Sequence, residues 1–337
     1  MRIGEISNIL GTLYDNEKTR KRATFLLGAS GVGKSAVVNQ LAEARGLPVV
    51  DLRLAQCDPT DLRGVPSVED DRTKWNVPSF FPDPEEQPKG ILFLDEITSA
   101  PPAVAAIAYQ LVLDRQQGEY KLPDGWMIVL AGNRQSDRGV TFAMPAPLMN
   151  RMTVLEVDTV LDDFLDYAAL NDIDPRVMAF VSDRADLLHK FDKESYGKQF
   201  PTPRGWESVS NKLAIPFDAA ARVELLKGDV GHEAAVAFEQ FLRVWETMPS
   251  LNKIFETPDE VDVPSEINVR YCVAMGMSAR LTAGNFNNAW KFLKRMPREF
   301  QTLVVKLAYQ RDNSVSQATD FTEWALENRE VFKRAES

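Results

Sequence analysis

The sequence has few of the side chains that usually build metal centres and disulfides. Its 337 residues include two cysteines, Cys57 and Cys272, and two histidines, His189 and His232. The cysteines are far apart in the sequence, so they form neither a zinc-binding spacing nor a disulfide framework. With only two histidines, a histidine-rich metal centre is not expected. These counts fit a protein of a reducing compartment.

Long apolar segments are also missing. The first 20 residues, MRIGEISNILGTLYDNEKTR, contain no apolar signal core. No stretch approaches the roughly 18 uninterrupted apolar residues that a membrane-spanning helix needs. We therefore expect a soluble, cytoplasmic protein with no membrane partner.

An excess of basic residues is missing as well. The chain has 39 lysines and arginines against 49 aspartates and glutamates, which gives a formal net charge of −10. A broad nucleic-acid-binding surface normally shows as a basic excess, so nucleic acid is not the expected partner. The one dense basic cluster, EKTRKR at residues 17–22, is typical of a solvated face.

The first half of the chain contains short apolar runs separated by helical patterns. The runs are ATFLLGAS, LPVVDLRL, GILFLDE and WMIVLAGN. Strands that alternate with helices form βαβ units, so the sequence predicts an α/β fold with a parallel sheet flanked by helices. One predicted helix, SAVVNQLAEARG, ends at Gly46, and another begins at Pro101 and Pro102.

Two segments interrupt this alternation. Residues 58–88 contain six prolines and a very polar stretch, which predicts a long, mostly irregular insertion. The segment QQGEYKLPDGW predicts a hairpin, with Asp124 and Gly125 as its turn.

Strand patterns end near Val157, and the remaining chain has helical periodicity. Phe238, Phe241, Leu242 and Trp245 recur at i, i+3, i+4 and i+7, which is typical of a core-facing helix stripe. Residues 249–264, PSLNKIFETPDEVDVP, are interpreted as a linker. We therefore expect an α/β domain at 1–156, an all-helical domain at 157–248 and a helical C-terminal extension at 249–337.

The segment GASGVGKS matches the pattern G-x-x-x-x-G-K-[ST] at every fixed position, between a predicted strand and a predicted helix. Backbone N–H groups of such a loop surround phosphate oxygens, and the helix N-terminus adds its dipole. The lysine can reach the β- and γ-phosphates, and the serine offers its hydroxyl to Mg²⁺. The predicted phosphate-binding residues are Gly28, Ala29, Ser30, Gly31, Val32, Gly33, Lys34 and Ser35.

Two adjacent acids follow the buried run ILFL and need a cation nearby, because repulsion and desolvation of two carboxylates cost stability. In a P-loop sheet, the end of this strand lies beside the phosphate loop. Asp95 is then predicted to face Mg²⁺ together with Ser35, and Glu96 to polarise the water that attacks the γ-phosphate.

Two further polar residues fit the same chemistry. Asn133 ends the run MIVLAGN, next to the strand of Asp95, where it can orient the attacking water or sense the γ-phosphate. Arg151, at the end of the α/β half, is placed to reach a neighbouring subunit's γ-phosphate as an arginine finger in trans. Arg134 and Arg138 remain competing candidates for that role.

These motifs, in this order and with a helical region after them, resemble the AAA+ ATPases. More narrowly, the sequence is similar to the MoxR branch within the dynein-related AAA subfamily, including its RavA-like and CbbQ/NorQ-like members. The resemblance runs from Phe25 to Ser210, and its narrower marks are CDPTDLRGVP and TPRGWESVS. Arg204 in the second mark matches the sensor-2 arginine, which in this family approaches the nucleotide from a helical lid.

The resemblance implies ATP and Mg²⁺ as cofactors and a homo-oligomeric ring, usually a hexamer, with ATP between subunits. It also implies an insertion within residues 64–88 and a hairpin at residues 118–126 that face the pore or a partner. Family members commonly act with a von Willebrand factor A-domain protein, remodelling it or inserting metal or cofactor into a target enzyme. A chaperone-like ATP hydrolase is therefore the expected function.

The sequence departs from the family pattern in places. AGNR replaces the usual asparagine-proline ending, and Met152 follows Arg151 where an aromatic residue is common. The C-terminal residues match no motif with a known mechanism.

Three other functions stay open at this point. One is a nucleic-acid-associated AAA+ motor, such as a component of a restriction or defence system, which the acidic balance disfavours. A P-loop kinase would leave Asn133, the hairpin and Arg204 without a joint role. A nucleotide-gated scaffold with little turnover would not use the hydrolytic residues.

Overall fold

The computed structural model describes residues 1–134, 144–191 and 198–328. It divides into two compact units, an α/β unit at Met1–Thr159 and a helical unit at Val160–Ser337. Within the described ranges, no helix combines the length and apolar character needed to cross a membrane. The three-part division expected from the sequence stays a prediction.

The α/β unit is built on a parallel sheet of five strands, in the spatial order β2-β5-β8-β1-β9. This confirms the predicted fold class. The described strands are β1 (Thr24–Gly28), β2 (Val49–Arg53), β3 (Val65–Glu69), β4 (Arg72–Asn76), β5 (Lys89–Asp95), β6 (Gln116–Gln117), β7 (Tyr120–Lys121), β8 (Gly125–Gly132) and β9 (Thr153–Val157).

Helices cover both faces of this sheet because side chains along each strand alternate between faces. Ile91 and Phe93 of β5 lie in a buried cluster with α1 and α3, whereas Leu92 and Leu94 lie in a second cluster with α5. The helices of the unit are α1 (Ile3–Asp15), α2 (Glu17–Arg20), α3 (Lys34–Arg45), α4 (Pro59–Arg63), α5 (Pro102–Asp114) and α6 (Ala146–Met149).

The strand register brings the ends of the predicted functional strands together. Leu27 at the end of β1 is aligned with Gly132 at the end of β8, and Leu94 of β5 is aligned with Leu130 of β8. The carboxyl ends of parallel strands share one edge of the sheet, so the segments that follow β1, β5 and β8 leave the sheet side by side.

The sequence analysis was wrong about parts of the α/β unit. The strand β9, which pairs with β1, was not predicted. The insertion at residues 58–88 contains α4 and an antiparallel hairpin of β3 and β4, which were not predicted. The second hairpin is confirmed, but β6 and β7 turn at Gly118, and Gly125 begins β8 instead of forming the turn.

The helical unit contains two buried clusters, and the second includes residues assigned to a linker. Leu251 and Ile254 are buried in α11, so residues 249–264 contain a packed helix. Its helices are α7 (Leu161–Leu170), α8 (Pro175–Asp183), α9 (Pro203–Lys212), α10 (Ala219–Thr247), α11 (Leu251–Glu256), α12 (Ile267–Arg280), α13 (Phe286–Leu293), α14 (Arg298–Arg311) and α15 (Phe321–Glu327).

Candidate functional site

The predicted phosphate loop joins β1 directly to α3. Gly31 and Gly33 have φ values of 77° and 97°, a conformation that glycine adopts without steric cost. Gly33 is also the N-cap of α3, so the loop ends at a helix N-terminus with its free backbone N–H groups. At Gly28, an added Cβ would lie 2.7 Å from the carbonyl oxygen of Val157. Gly31 and Gly33 therefore allow the backbone of the loop to curve, and Gly28 allows it to lie close to Val157.

Lys34 lies inside this loop and is only 8% exposed. Its ammonium Nζ donates to the carbonyl oxygens of Gly28 and Ala29, each at 2.7 Å, and to Oδ1 of Asn133 at 3.1 Å. The structure thus brings the predicted phosphate-binding lysine and the predicted sensor asparagine together across β1 and β8.

Ser35 and Asp95 meet on the other side of the loop. The hydroxyl of Ser35 donates to Oδ2 of Asp95 at 2.9 Å, and Oδ1 of Asp95 accepts the backbone N–H of Glu96 at 2.8 Å. Hydroxyl and carboxylate oxygens are ligands that Mg²⁺ accepts. In the described ranges, no three His, Cys, Asp or Glu side chains gather as a metal site. The hydroxyl of Ser35 and the carboxylate of Asp95 fit such an ion as two of its ligands.

Glu96 lies where the chain turns away from β5. Its φ of 56° is in the left-handed region, which is uncommon for a residue other than glycine. Its side chain is exposed at the sheet edge, next to the half-buried Asp95. Such backbone strain is frequent at functional sites, where the surrounding structure fixes it.

Asp51 on β2 is an acidic neighbour that the sequence analysis did not single out. Burial raises the pKa of its carboxyl, and the negative charge of Asp95 raises it further. Asp51 is aligned with Phe93, two residues before Asp95, so both carboxylates lie on the same face of the sheet. The sequence LPVVDLRL does not show which strand pairs with β2, so the closeness of Asp51 to Asp95 could not be predicted from it.

Thr98 connects the turn after β5 to the end of β8. Its side chain is 5% exposed, and its Oγ1 accepts the backbone N–H of Asn133 at 3.0 Å. The sequence analysis did not identify this residue, since a threonine in DEITSA carries no motif.

The three candidates for the arginine finger have different surroundings. Arg134 donates to Asp158 Oδ1 at 2.8 Å and to the carbonyl oxygen of Val157 at 3.0 Å. Arg138 lies outside the described residues. Arg151 is exposed just after α6, and within the described ranges its side chain has no hydrogen-bond or ion-pair partner.

The backbone around Arg151 is held by an arginine of the basic cluster. Arg22 donates from one guanidinium nitrogen to the carbonyl oxygens of Asn150 at 3.0 Å and Met152 at 2.9 Å. Thus the cluster interpreted as a solvated face includes a side chain with a structural contact. In the sequence, Arg22 is marked only as part of the basic stretch EKTRKR, which does not indicate what its side chain contacts.

Arg204 is exposed at the second position of α9, in the helical unit. Thr202 caps this helix by accepting the backbone N–H of Gly205 at 3.0 Å. The role of Arg204 at a nucleotide remains a prediction.

The comparisons with known proteins agree with this description. A family model described as an AAA domain of the dynein-related subfamily (AAA_5) matches residues 23–152. That range begins just before β1 and ends just before β9, so it contains the phosphate loop, Asp95, Glu96, Asn133 and Arg151. No curated protein matches the chain.

The solved structures that match the chain are distant from it in sequence. A RuvB mutant from Thermotoga maritima is 14% identical, with 76% of each chain covered and a TM-score of 0.40. NtrX from Brucella abortus in complex with ADP is 17% identical, covering 94% of this chain and 66% of its own, with a TM-score of 0.38. A putative ATPase from Cytophaga hutchinsonii is 14% identical, with coverages of 90% and 79% and a TM-score of 0.33.

The matched model covers the loop, the acidic pair and the asparagine that the fold brings together at one edge of the sheet. Residues 23–152 are therefore similar to the AAA domain of the dynein-related subfamily.

Proposed function

We propose that this chain is a MoxR-like ATPase that binds ATP·Mg²⁺ between subunits of a ring, hydrolyses it and uses the energy to remodel or activate a protein partner. The MoxR resemblance implies that the partner carries a von Willebrand factor A domain. A homo-oligomeric ring, usually a hexamer, and a cytoplasmic setting belong to the same proposal.

The observation that carries the hydrolysis proposal is a continuous set of contacts around the phosphate loop. Lys34 contacts Asn133, and Ser35 contacts Asp95, whose other oxygen accepts the N–H of Glu96. These five residues follow three different strand ends. Lys34, Ser35, Asp95 and Asn133 contact one another through their side chains, and Glu96 joins them through its backbone N–H.

Each member has a distinct task in this proposal. Lys34 and the loop N–H groups bind the β- and γ-phosphates in place of the contacts that Lys34 makes with its own loop. Ser35 and Asp95 would hold Mg²⁺, which when bound supplies positive charge against the phosphates. Glu96 accepts the proton of the attacking water, and Asn133 orients that water or senses the γ-phosphate.

The environment of the arginines favours Arg151 as the finger that acts on a neighbour's γ-phosphate. Arg134 is engaged with Asp158 and the Val157 carbonyl oxygen in its own chain, whereas the guanidinium of Arg151 is exposed. Arg22 fixes the backbone on both sides of Arg151. In the helical unit, Arg204 would contact the nucleotide and report its presence to the lid.

Mixing two inactive variants tests the shared site. Arg151→Ala keeps a complete phosphate loop but lacks the finger, while Lys34→Ala lacks the loop cation but keeps Arg151. Loss of an arginine finger costs about 10³–10⁵ in turnover, and Arg134→Ala is the matched control for loss of one positive charge. ATP turnover per subunit is measured against protein concentration, with particle size followed in parallel.

We expect wild-type turnover per subunit to rise as the ring forms, and each variant alone to assemble but hydrolyse ATP poorly. Mixed rings should regain activity, because Lys34→Ala subunits supply Arg151 to the intact loops of their neighbours. Turnover that is independent of concentration, together with no effect of Arg151→Ala, would overturn the in-trans assignment.

A further inference from the structure

We propose that Thr98 is a positioning residue for ATP hydrolysis, which fixes Asn133 relative to Glu96 through the hydrogen bond from the Asn133 N–H to its hydroxyl oxygen. This inference rests on the proposed function, since it assigns a further residue to the same site. In this assignment Thr98 contributes to hydrolysis of ATP and not to its binding.

Thr98 lies just beyond the point where β5 ends. β5 ends at Asp95, Glu96 turns the backbone with a φ of 56°, and Thr98 lies in the short 3₁₀ turn Ile97–Ser99 that follows. Beyond this point β5 no longer provides carbonyl groups to β8. The hydroxyl oxygen of Thr98 takes that place for the N–H of Asn133, at 3.0 Å.

Thr98 packs closely on the end of β8. A Cβ added to Gly132 would lie 2.7 Å from Cγ2 and 2.9 Å from Oγ1 of Thr98. Contacts under 3 Å are not tolerated in a packed interior, so residue 132 must be glycine for Thr98 to sit where it does. Thr98 is itself 5% exposed. Its hydroxyl is therefore held in one position relative to the backbone that carries Asn133.

Asn133 is held from two sides. Thr98 fixes its backbone N–H, and Lys34 Nζ donates to its side-chain Oδ1 at 3.1 Å. When ATP draws Lys34 towards its phosphates, the Asn133 side chain loses that partner and becomes available to water. The bond to Thr98 does not involve the nucleotide, so it keeps the backbone of Asn133 in place during the exchange.

A small displacement of Asn133 would affect hydrolysis more than ATP binding. The loop and Lys34 provide the contacts to phosphate, whereas Asn133 acts on the water near Glu96. Displacement of a catalytic group by about 1 Å can cost about 100-fold in rate. We therefore expect loss of the Thr98 hydroxyl to lower kcat by about 10- to 100-fold, with the ATP Kd changed by less than about threefold.

Thr98→Val and Thr98→Ser form the matched pair for this test. Valine keeps the shape of threonine without the hydroxyl, and serine keeps the hydroxyl without the methyl group. The expected result is a loss of kcat in Thr98→Val and near wild-type kcat in Thr98→Ser, with unchanged ATP binding and ring size in both. Equal losses in the two variants, or no loss in Thr98→Val, would overturn the proposal.

A double-variant cycle distinguishes positioning from a general structural effect. If Thr98 acts through Asn133, then Thr98→Val combined with Asn133→Ala should lower kcat no further than Asn133→Ala alone. Fully additive losses would contradict that route.

Gly132→Ala gives an independent displacement of Thr98 if Thr98→Val fails to fold. We expect Gly132→Ala to lower kcat while ATP still binds. Unchanged kcat in folded Gly132→Ala would contradict the proposal.

Glu96→Gln separates failure of this inference from failure of the proposed function. If Glu96→Gln loses turnover but Thr98→Val does not, only the role of Thr98 is wrong. If Glu96→Gln leaves turnover unchanged, the hydrolytic assignment itself is wrong and the role of Thr98 falls with it.

Discussion

The sheet edge of the α/β unit and the first core cluster of the helical unit differ in the side chains that meet there. At the sheet edge of the α/β unit, half-buried and buried polar side chains contact one another around the phosphate loop, as Lys34 does with Asn133 and Ser35 with Asp95. The first core cluster of the helical unit is instead aromatic, with Phe180 packed against Trp206 and Phe238 at centroid distances of 5.1 and 5.2 Å.

The same contrast appears in how burial affects titratable groups. In the helical unit, burial raises the pKa of Cys272 to about 12, so this thiol stays protonated and packs as an apolar group. In the α/β unit, the pKa of Asp51 is raised by burial and by the nearby charge of Asp95. Cys272 is therefore an inert buried group, whereas Asp51 belongs to a cluster of negative charges that favours a cation.

The largest expected effect on stability concerns a glycine of the helical unit. α10 is broken at Gly231, whose φ of 80° and ψ of 169° are not helical, and an added Cβ would lie 2.4 Å from the carbonyl oxygen of Gln199. We expect Gly231→Ala to lower the free energy of unfolding by about 2–3 kcal/mol, because a strained backbone alone costs about 1–3 kcal/mol. Denaturant unfolding measures this.

Gly228, three residues earlier in α10, is the matched control. An added Cβ there would meet no atom within 4 Å, and Ala is favoured over Gly within a helix by about 0.5–1 kcal/mol. Gly228→Ala should therefore stabilise the protein. Equal effects of the two substitutions would mean that Gly231 is not a required break in the helix.

A smaller effect is expected at Arg22 in the α/β unit. Arg22→Ala removes the hydrogen bonds to the carbonyl oxygens of Asn150 and Met152 and frees the backbone of Arg151. We expect turnover of assembled rings to fall about tenfold, which corresponds to about 1.4 kcal/mol, with no change in ATP binding. Steady-state turnover and nucleotide titration measure the two quantities.

Lys21→Ala provides the control, since it removes the same charge from the same cluster. Lys21 forms an ion pair with Asp124, whereas the contacts to the backbone beside Arg151 come from Arg22. Its turnover should stay within about twofold of wild type. If both variants lose activity alike, the effect comes from the charge of the cluster and not from the support of Arg151.

The sequence was sufficient for those parts of the fold that follow local patterns. The phosphate loop, the acidic pair and the asparagine were predicted, because each follows an apolar run that forms a strand of the sheet. The Gly46 end of α3 is confirmed by its left-handed φ of 59°. The helix predicted from His232 onwards is confirmed as the part of α10 that follows the break at Gly231.

What could not be predicted depends on contacts between distant segments. β9 is a short strand whose pairing with β1 is visible only in the sheet. The hairpin of β3 and β4 is exposed, with Val68 79% accessible, so no core pattern marked it. Thr98 and Arg22 contact backbone atoms 35 and about 130 residues away, and no spacing in the sequence indicates such contacts.

Binding and turnover of ATP by Glu96→Gln show whether the edge of the parallel sheet is a hydrolytic ATP site. Glutamine keeps the size of the side chain at this left-handed position but cannot accept a proton. We expect the variant to bind ATP as wild type does and to assemble normally, while turnover falls by about 10²–10⁴, the usual contribution of a general base. Turnover within about threefold of wild type, with ATP bound and the ring intact, would contradict it.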